Sequence, residues 1–179
     1  MVRGNAGLPY TAFNGPIVIF KKSAKFHVVS IGKFKLVDFV CPCKECDNEY
    51  QKINLDLISG LIRMQDAGKL PIGISSCYRC KAYNHAVGGL SNSPHLDGLA
   101  ADIYCVGRSS LELAKIALIY GGFRNIGLFK NGIHVDKRPW KGRLRIWNYP
   151  GAELAVPEFR EIMNKELEQL NGNTFNQGN

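Results

Sequence analysis

The sequence predicts an α+β fold, a small antiparallel sheet flanked by helices. Three observations predict it. Short β-branched and aromatic runs give way to helical spacing and then return. An Asn-Gly pair joins two apolar runs, a strong hairpin signal. Stretches led by Ser or Pro and closed by Gly have the start and stop signals of helices. The 179 residues suit one domain, and a 45% hydrophobic content is enough to bury a core.

Taken in order, Ile17 to Phe20, Phe26 to Ile31 and Phe34 to Val40 read as strands of a small antiparallel unit. Residues 49–67 have helical spacing, with Ile53, Leu57, Leu61 and Met64 on one face, Ile58 and Ile62 beside them, and Gly68 as the stop. Leu70 to Ser75 forms a short strand, and a short helix between Arg79 and Val87 is stopped by Gly88-Gly89. Leu99 to Val106 is small and apolar apart from Asp102, as a buried strand would be. Ser109 and Glu112 make a capping box for a helix running to Tyr120. Ile126 to Phe129 and Ile133 to Asp136 are two strands joined at Lys130-Asn131-Gly132. Pro157 opens an amphipathic helix ending near Asn171.

Composition excludes some functions. No apolar run approaches the ~20 residues of a membrane-spanning helix, and no signal peptide is evident. Lys and Arg number 23 against 15 Asp and Glu, a formal charge of +8, which favours an anionic partner. The basic residues are mostly scattered and no basic-aromatic RNA-binding signature occurs, so nucleic acid is the weakest of the candidate partners.

Chemistry concentrates in Ser93-Pro94-His95-Leu96-Asp97-Gly98-Leu99-Ala100-Ala101-Asp102 and Gly132-Ile133-His134-Val135-Asp136. Two imidazoles and one carboxylate are the ligand count of a catalytic zinc site with its fourth position open. Pro94 and Gly98 argue for a loop histidine followed by a strand aspartate rather than a helix. An isolated buried carboxylate is costly, and a metal would satisfy Asp102. It could equally cap a turn or pair with Arg79 or Arg108.

These stretches, together with Ser75-Ser76-Cys77-Tyr78-Arg79 and Tyr83-Asn84, resemble the zinc D-Ala-D-Ala carboxypeptidase family over about residues 36–148. That family includes many phage endolysins and shares its metal core with the Hedgehog signalling domain. The resemblance implies a catalytic zinc on His95, Asp102 and His134, a substrate-gripping Arg79, and Ser93 at the position of the family's site serine. An arginine suits that role because its planar fork binds a carboxylate bidentately. A structural salt bridge to Asp102 or Asp97 is the alternative for Arg79.

The resemblance further implies hydrolysis of D-amino-acid-containing peptidoglycan peptides by a zinc-activated water. Many relatives carry an acid three residues before the last histidine, where this chain has Asn131. Asp136 is the nearest replacement base, since residues two apart on a strand share a face. It could instead orient a ligand histidine or pair with Arg138. A metal-containing binding or structural module of a larger assembly is the competing function.

Residues 1–35 then read as an N-terminal strand segment that could attach to a larger assembly, 36–150 as the peptidase core and 151–179 as a C-terminal helix and tail. The charge suits anionic cell-wall polymers. With no export signal, the expectation is a phage protein held in host cytoplasm until release, or a virion component in contact with other virion proteins. Of six cysteines, Cys43, Cys46, Cys77 and Cys80 form two Cys-x-x-Cys pairs that could hold a second, structural zinc, with Cys41 close by. A disulfide between the groups or free buried thiols are the alternatives, and Cys105 is expected in the core.

Overall fold

Strand alternation decides where the apolar and the reactive residues go. The computed structural model describes residues 16–22, 29–47, 49–139, 144–152 and 156–175. Most of the expected attachment segment, residues 1–15 and 23–28, lies outside these. The main sheet has five strands: β5 (Ile72–Ser76), β6 (Ala100–Cys105), β7 (Asn125–Phe129), β8 (Gly132–Asp136) and β9 (Arg145–Asn148). Their spatial order is β5-β6-β8-β7-β9, so β8 is central.

Ala101, Ile103, Ile126, Leu128, Ile133, Val135 and Ile146 occupy alternate positions and are buried in one core with helices α1 (Leu55–Gly68) and α3 (Ser110–Ile119). The residues between them face the other side. Aligned registers there place Ser76 opposite Asp102, Asp102 opposite His134, His134 opposite Gly127, and Gly127 opposite Trp147. One row across the sheet thus brings Asp102 and His134 together between Ser76 and Trp147. Cys105 is buried in the core, as expected.

Most local signals hold. The Ser109–Glu112 capping box forms, with the Ser109 hydroxyl accepting from the Glu112 amide at 3.2 Å. The Asn131-Gly132 turn joins β7 to β8. Helix α2 (Lys81–Ala86) lies where expected, and α4 (Val156–Phe175) opens beside Pro157 but runs past Asn171. Among the described residues no helix is long and apolar enough to cross a membrane.

Three expectations need correction. The 49–67 stretch is not all helix: Tyr50–Asn54 is strand β4, antiparallel to β1 (Ile17–Lys21), and α1 begins only at Leu55. The Asn54 carboxamide, accepting from the Leu57 amide at 2.9 Å, sets that boundary. Phe34 to Val40 is not one strand either: the two-residue strand β3 (Phe34–Lys35) pairs with β2 (Ser30–Ile31) and is followed by a 3-10 turn, Leu36–Phe39. That turn brings Phe39 edge-on to Phe34, ring centroids 5.6 Å apart, where both are buried. Lastly, the main sheet is mixed, because β9 runs parallel to β7.

Lys137 lies beside the C-terminal end of α3. Its ammonium donates to the Gly121 and Gly122 carbonyls at 3.2 Å and sits 4.2 Å from the Phe123 ring centroid. Burial, with the nearby charges of Arg63 and Arg124, still pushes it down from 10.5 to about 8. Between those two values the unfolded chain binds one more proton than the folded one, so stability contributed at this site rises with pH. Compared with Lys137→Met, the wild type is expected to gain stability between pH 8 and 10.5, by at most about 3 kcal/mol. Urea unfolding of both proteins across that range checks it, and parallel pH curves would refute it.

Candidate metal centre

Asp102 and His134 are direct cross-strand partners on β6 and β8, so their side chains meet on the open face of the sheet. His95 descends on them from above. It sits in a single 3-10 turn, Pro94–Asp97, rather than the plain loop expected, and Gly98 closes the turn in the left-handed region at φ +67°. Gly98 has no substitute there, since a Cβ would lie 2.3 Å from the Lys52 carbonyl oxygen.

Three atoms converge. His134 Nδ1 is 2.8 Å from Asp102 Oδ1, and His95 Nε2 is 3.2 Å from both. With zinc bonds of about 2.0–2.1 Å, the edges of a tetrahedron are about 3.3 Å, so the donor spacing fits a metal of that kind. The remaining nitrogens are occupied in a way that favours it. His95 Nδ1 is 2.5 Å from the Cys77 carbonyl, which holds the proton there and leaves Nε2 as the donor atom. His134 Nε2 is 3.1 Å from Asp136 Oδ2, which frees Nδ1 in the same manner.

The electrostatics follow from this crowding. Burial disfavours ionised Asp102, but hydrogen bonds from His134 and His95 outweigh it and hold the carboxyl well below the usual range. Burial likewise works against a charged His134, yet its bonds to Asp102 and Asp136 raise its pKa. Burial also opposes ionisation of Asp136, and His134 with Arg138 reverses that too.

Arg79 forms an ion pair with Asp102 Oδ2 and donates from Nε to the Ser76 hydroxyl at 2.7 Å. The pairing with Asp102 raised from the sequence is therefore present, and the guanidinium also lines the cavity over the site. Ser93 lines it too, as the residue that leads into the His95 turn. Asp136 lies elsewhere. It is fully buried behind His134, its Oδ1 accepting from the Arg138 amide and Nε at 3.0 Å and its Oδ2 from Nη2 at 2.6 Å. Asn131 is exposed in the β7–β8 turn.

The cavity has a volume of about 800 Å³. Among the described residues lining it, Asp102 is the only carboxylate, against Arg79, Arg138, Arg145 and Arg160. Trp147 and Tyr149 form an aromatic wall beside His134, with the Trp147 ring centroid 5.3 Å from the imidazole. Gly127 makes room for this wall, as a Cβ there would be 2.6 Å from both rings. Asn84 fixes the opposite rim by donating to the Leu90 carbonyl at 3.0 Å. The sequence signal for this wall is the strand alternation of Trp147-x-Tyr149, which does not show that it borders the site.

A second group of donors forms from cysteines. The Cys41, Cys43, Cys46 and Cys80 sulfurs lie within 4.8 Å of one another, and none is in a disulfide. Cys41 completes this group where Cys77 was expected. Directly after β5, Cys77 turns its thiol into the main core, where burial pushes it up to about 12, while Cys80 faces the 41–46 loop.

Among curated proteins, none matches the chain. Against family models, residues 33–136, more than half of the chain, match Peptidase M15. Because that span holds the three converging donors as well as Arg79, Ser93 and Asp136, the chain belongs to the peptidase M15 family, the zinc D-Ala-D-Ala carboxypeptidases that its motifs resemble.

Proposed function

We propose that this protein is a zinc peptidase that hydrolyses D-amino-acid-containing peptides of bacterial peptidoglycan. The observation that carries this reading is the convergence of His95 Nε2, Asp102 Oδ1 and His134 Nδ1 on the floor of an arginine-lined cavity. Zinc held by them would supply Lewis-acid chemistry, polarising the scissile carbonyl and lowering the pKa of water. Arg79, at the junction of site and cavity, is placed to trade part of its Asp102 pairing for a substrate carboxylate. Arg138, Arg145 and Arg160 favour an anionic peptide, and Trp147 and Tyr149 offer an apolar wall on which its backbone can lie. A formal charge of +8 would draw the protein to anionic wall polymers, and lytic or virion-borne delivery belongs to the same proposal.

The surroundings of Asp136 support an orienting role over that of proton acceptor, because both oxygens are engaged by Arg138 and His134. Asp136→Asn is therefore expected to weaken zinc affinity by about 10–100-fold, with wall hydrolysis restored by excess zinc. Zinc titration and release of soluble peptides from purified peptidoglycan test both points. A variant that keeps full zinc affinity but loses turnover would make Asp136 the base instead.

One observation favours a second reading, a metal-containing binding module. Among the described cavity residues no carboxylate besides Asp102 is available to take a proton. Zinc-loaded wild type that binds peptidoglycan but never releases peptides from it would establish that reading.

A further inference from the structure

We propose that Cys41, Cys43, Cys46 and Cys80 form a second, structural zinc site, which clamps the 41–46 loop to the segment bearing Arg79. Three sulfurs surround Cys43: Cys46 at 3.0 Å, Cys41 at 3.4 Å and Cys80 at 3.5 Å. A zinc–sulfur bond of about 2.3 Å gives tetrahedral edges of about 3.8 Å, so a small outward adjustment of these thiols accommodates the ion. Four soft donors in a closed, largely buried arrangement leave no open position, the mark of a structural rather than a catalytic site.

The surroundings are those of a thiolate cluster. Fully buried Gln51 directs Nε2 at Cys46 Sγ, 3.7 Å away, and accepts from the Cys41 amide at 2.9 Å. The Tyr83 amide donates to Cys80 Sγ at 3.3 Å. Lys22, ion-paired with Asp47, also ties the same loop by donating to the Cys43 carbonyl at 2.8 Å. Such donors offset the negative charge that four thiolates carry around a divalent ion.

The site joins parts of the chain that are distant in sequence. Loop 41–46 precedes β4, whereas Cys80 caps α2 and directly follows Arg79. The Tyr78 amide also donates to the Phe39 carbonyl at 3.3 Å, so the same junction is tied on both sides of Arg79. The cluster has only a small apolar group of its own, with Tyr78 buried and Tyr83 partly buried against it. In place of an apolar core, the metal would hold this corner together. This cysteine site does not depend on whether the His95 site turns over substrate.

The test is metal analysis of the full chain purified with zinc, alongside Cys43→Ser/Cys80→Ser and His134→Ala. Wild type should hold about two zinc per chain, and each variant about one. Cobalt exchanged into His134→Ala should show a thiolate-to-metal charge-transfer band, which the cysteine variant should lack. Should the cysteine variant fail to fold, His134→Ala still decides the matter, since it must retain one metal with thiolate ligation. A disulfide found by mass spectrometry, or four thiols that react freely with a thiol reagent in metal-saturated His134→Ala, would overturn the site.

Discussion

Replacing His134 with alanine is expected to abolish zinc binding at the sheet site and to lower peptidoglycan hydrolysis by at least about 10³-fold. His134 is the central donor on the central strand, within 3.2 Å of both other donor atoms. Its loss leaves one imidazole and one carboxylate, too few to hold the ion, and Asp102 then keeps Arg79 and His95 as its partners. Wild type stripped by a chelator should lose activity and regain it with added zinc, while the variant should regain none. Zinc should also raise the melting temperature of stripped wild type, because a ligand bound only by the folded state adds about 2.7 kcal/mol at a hundredfold excess over Kd. Full activity in the stripped protein would refute the zinc mechanism, though it would leave the cysteine site untouched.

Gly98→Ala is expected to be the most damaging single-methyl change near the site, destabilising the fold by more than about 3 kcal/mol. Two causes combine. At φ +67° an L-residue is strained by about 1–2 kcal/mol. The new Cβ would also press to 2.3 Å from the Lys52 carbonyl oxygen, which is backbone of β4 and cannot rotate away. The Gly98 carbonyl accepts from the Asn54 amide at 3.0 Å, so any shift reaches the start of α1 and the His95 turn together. Gly107→Ala is the control, with φ +78° and nothing within 4 Å of its Cβ position. It should cost only the backbone strain. Equal unfolding midpoints for the two variants would show that close packing is not what requires glycine at 98.

The parts of the site legible in the sequence are those set by short-range rules. His95, Asp102 and His134 stood out because their residue types and spacing are selective, and two-residue alternation put Asp136 beside His134. It could not tell which neighbour would claim the Asp136 oxygens. Arg138 does so from two residues further along, where a rim arginine and an orienting partner look alike in one dimension. On the function proposed above Asp136 orients His134, the alternative that the sequence leaves open beside the role of base.

The α+β class, the N-cap of α3, the β7–β8 hairpin and the residue types of the three donors are readable along the chain, because each depends on residues within a few positions of one another or on a selective motif. Tertiary packing alone sets the pairing of β1 with β4, the parallel run of β9 beside β7 that brings Trp147 to the site, and the place of Cys41 rather than Cys77 in the sulfur group. Strand pairing joins segments whose separation leaves no periodic trace, and local spacing carries no record of it. Which cysteine faces a distant loop depends on which way the segment between β5 and α2 turns its side chains. At Cys77 the core took the side chain, and that choice was made by packing.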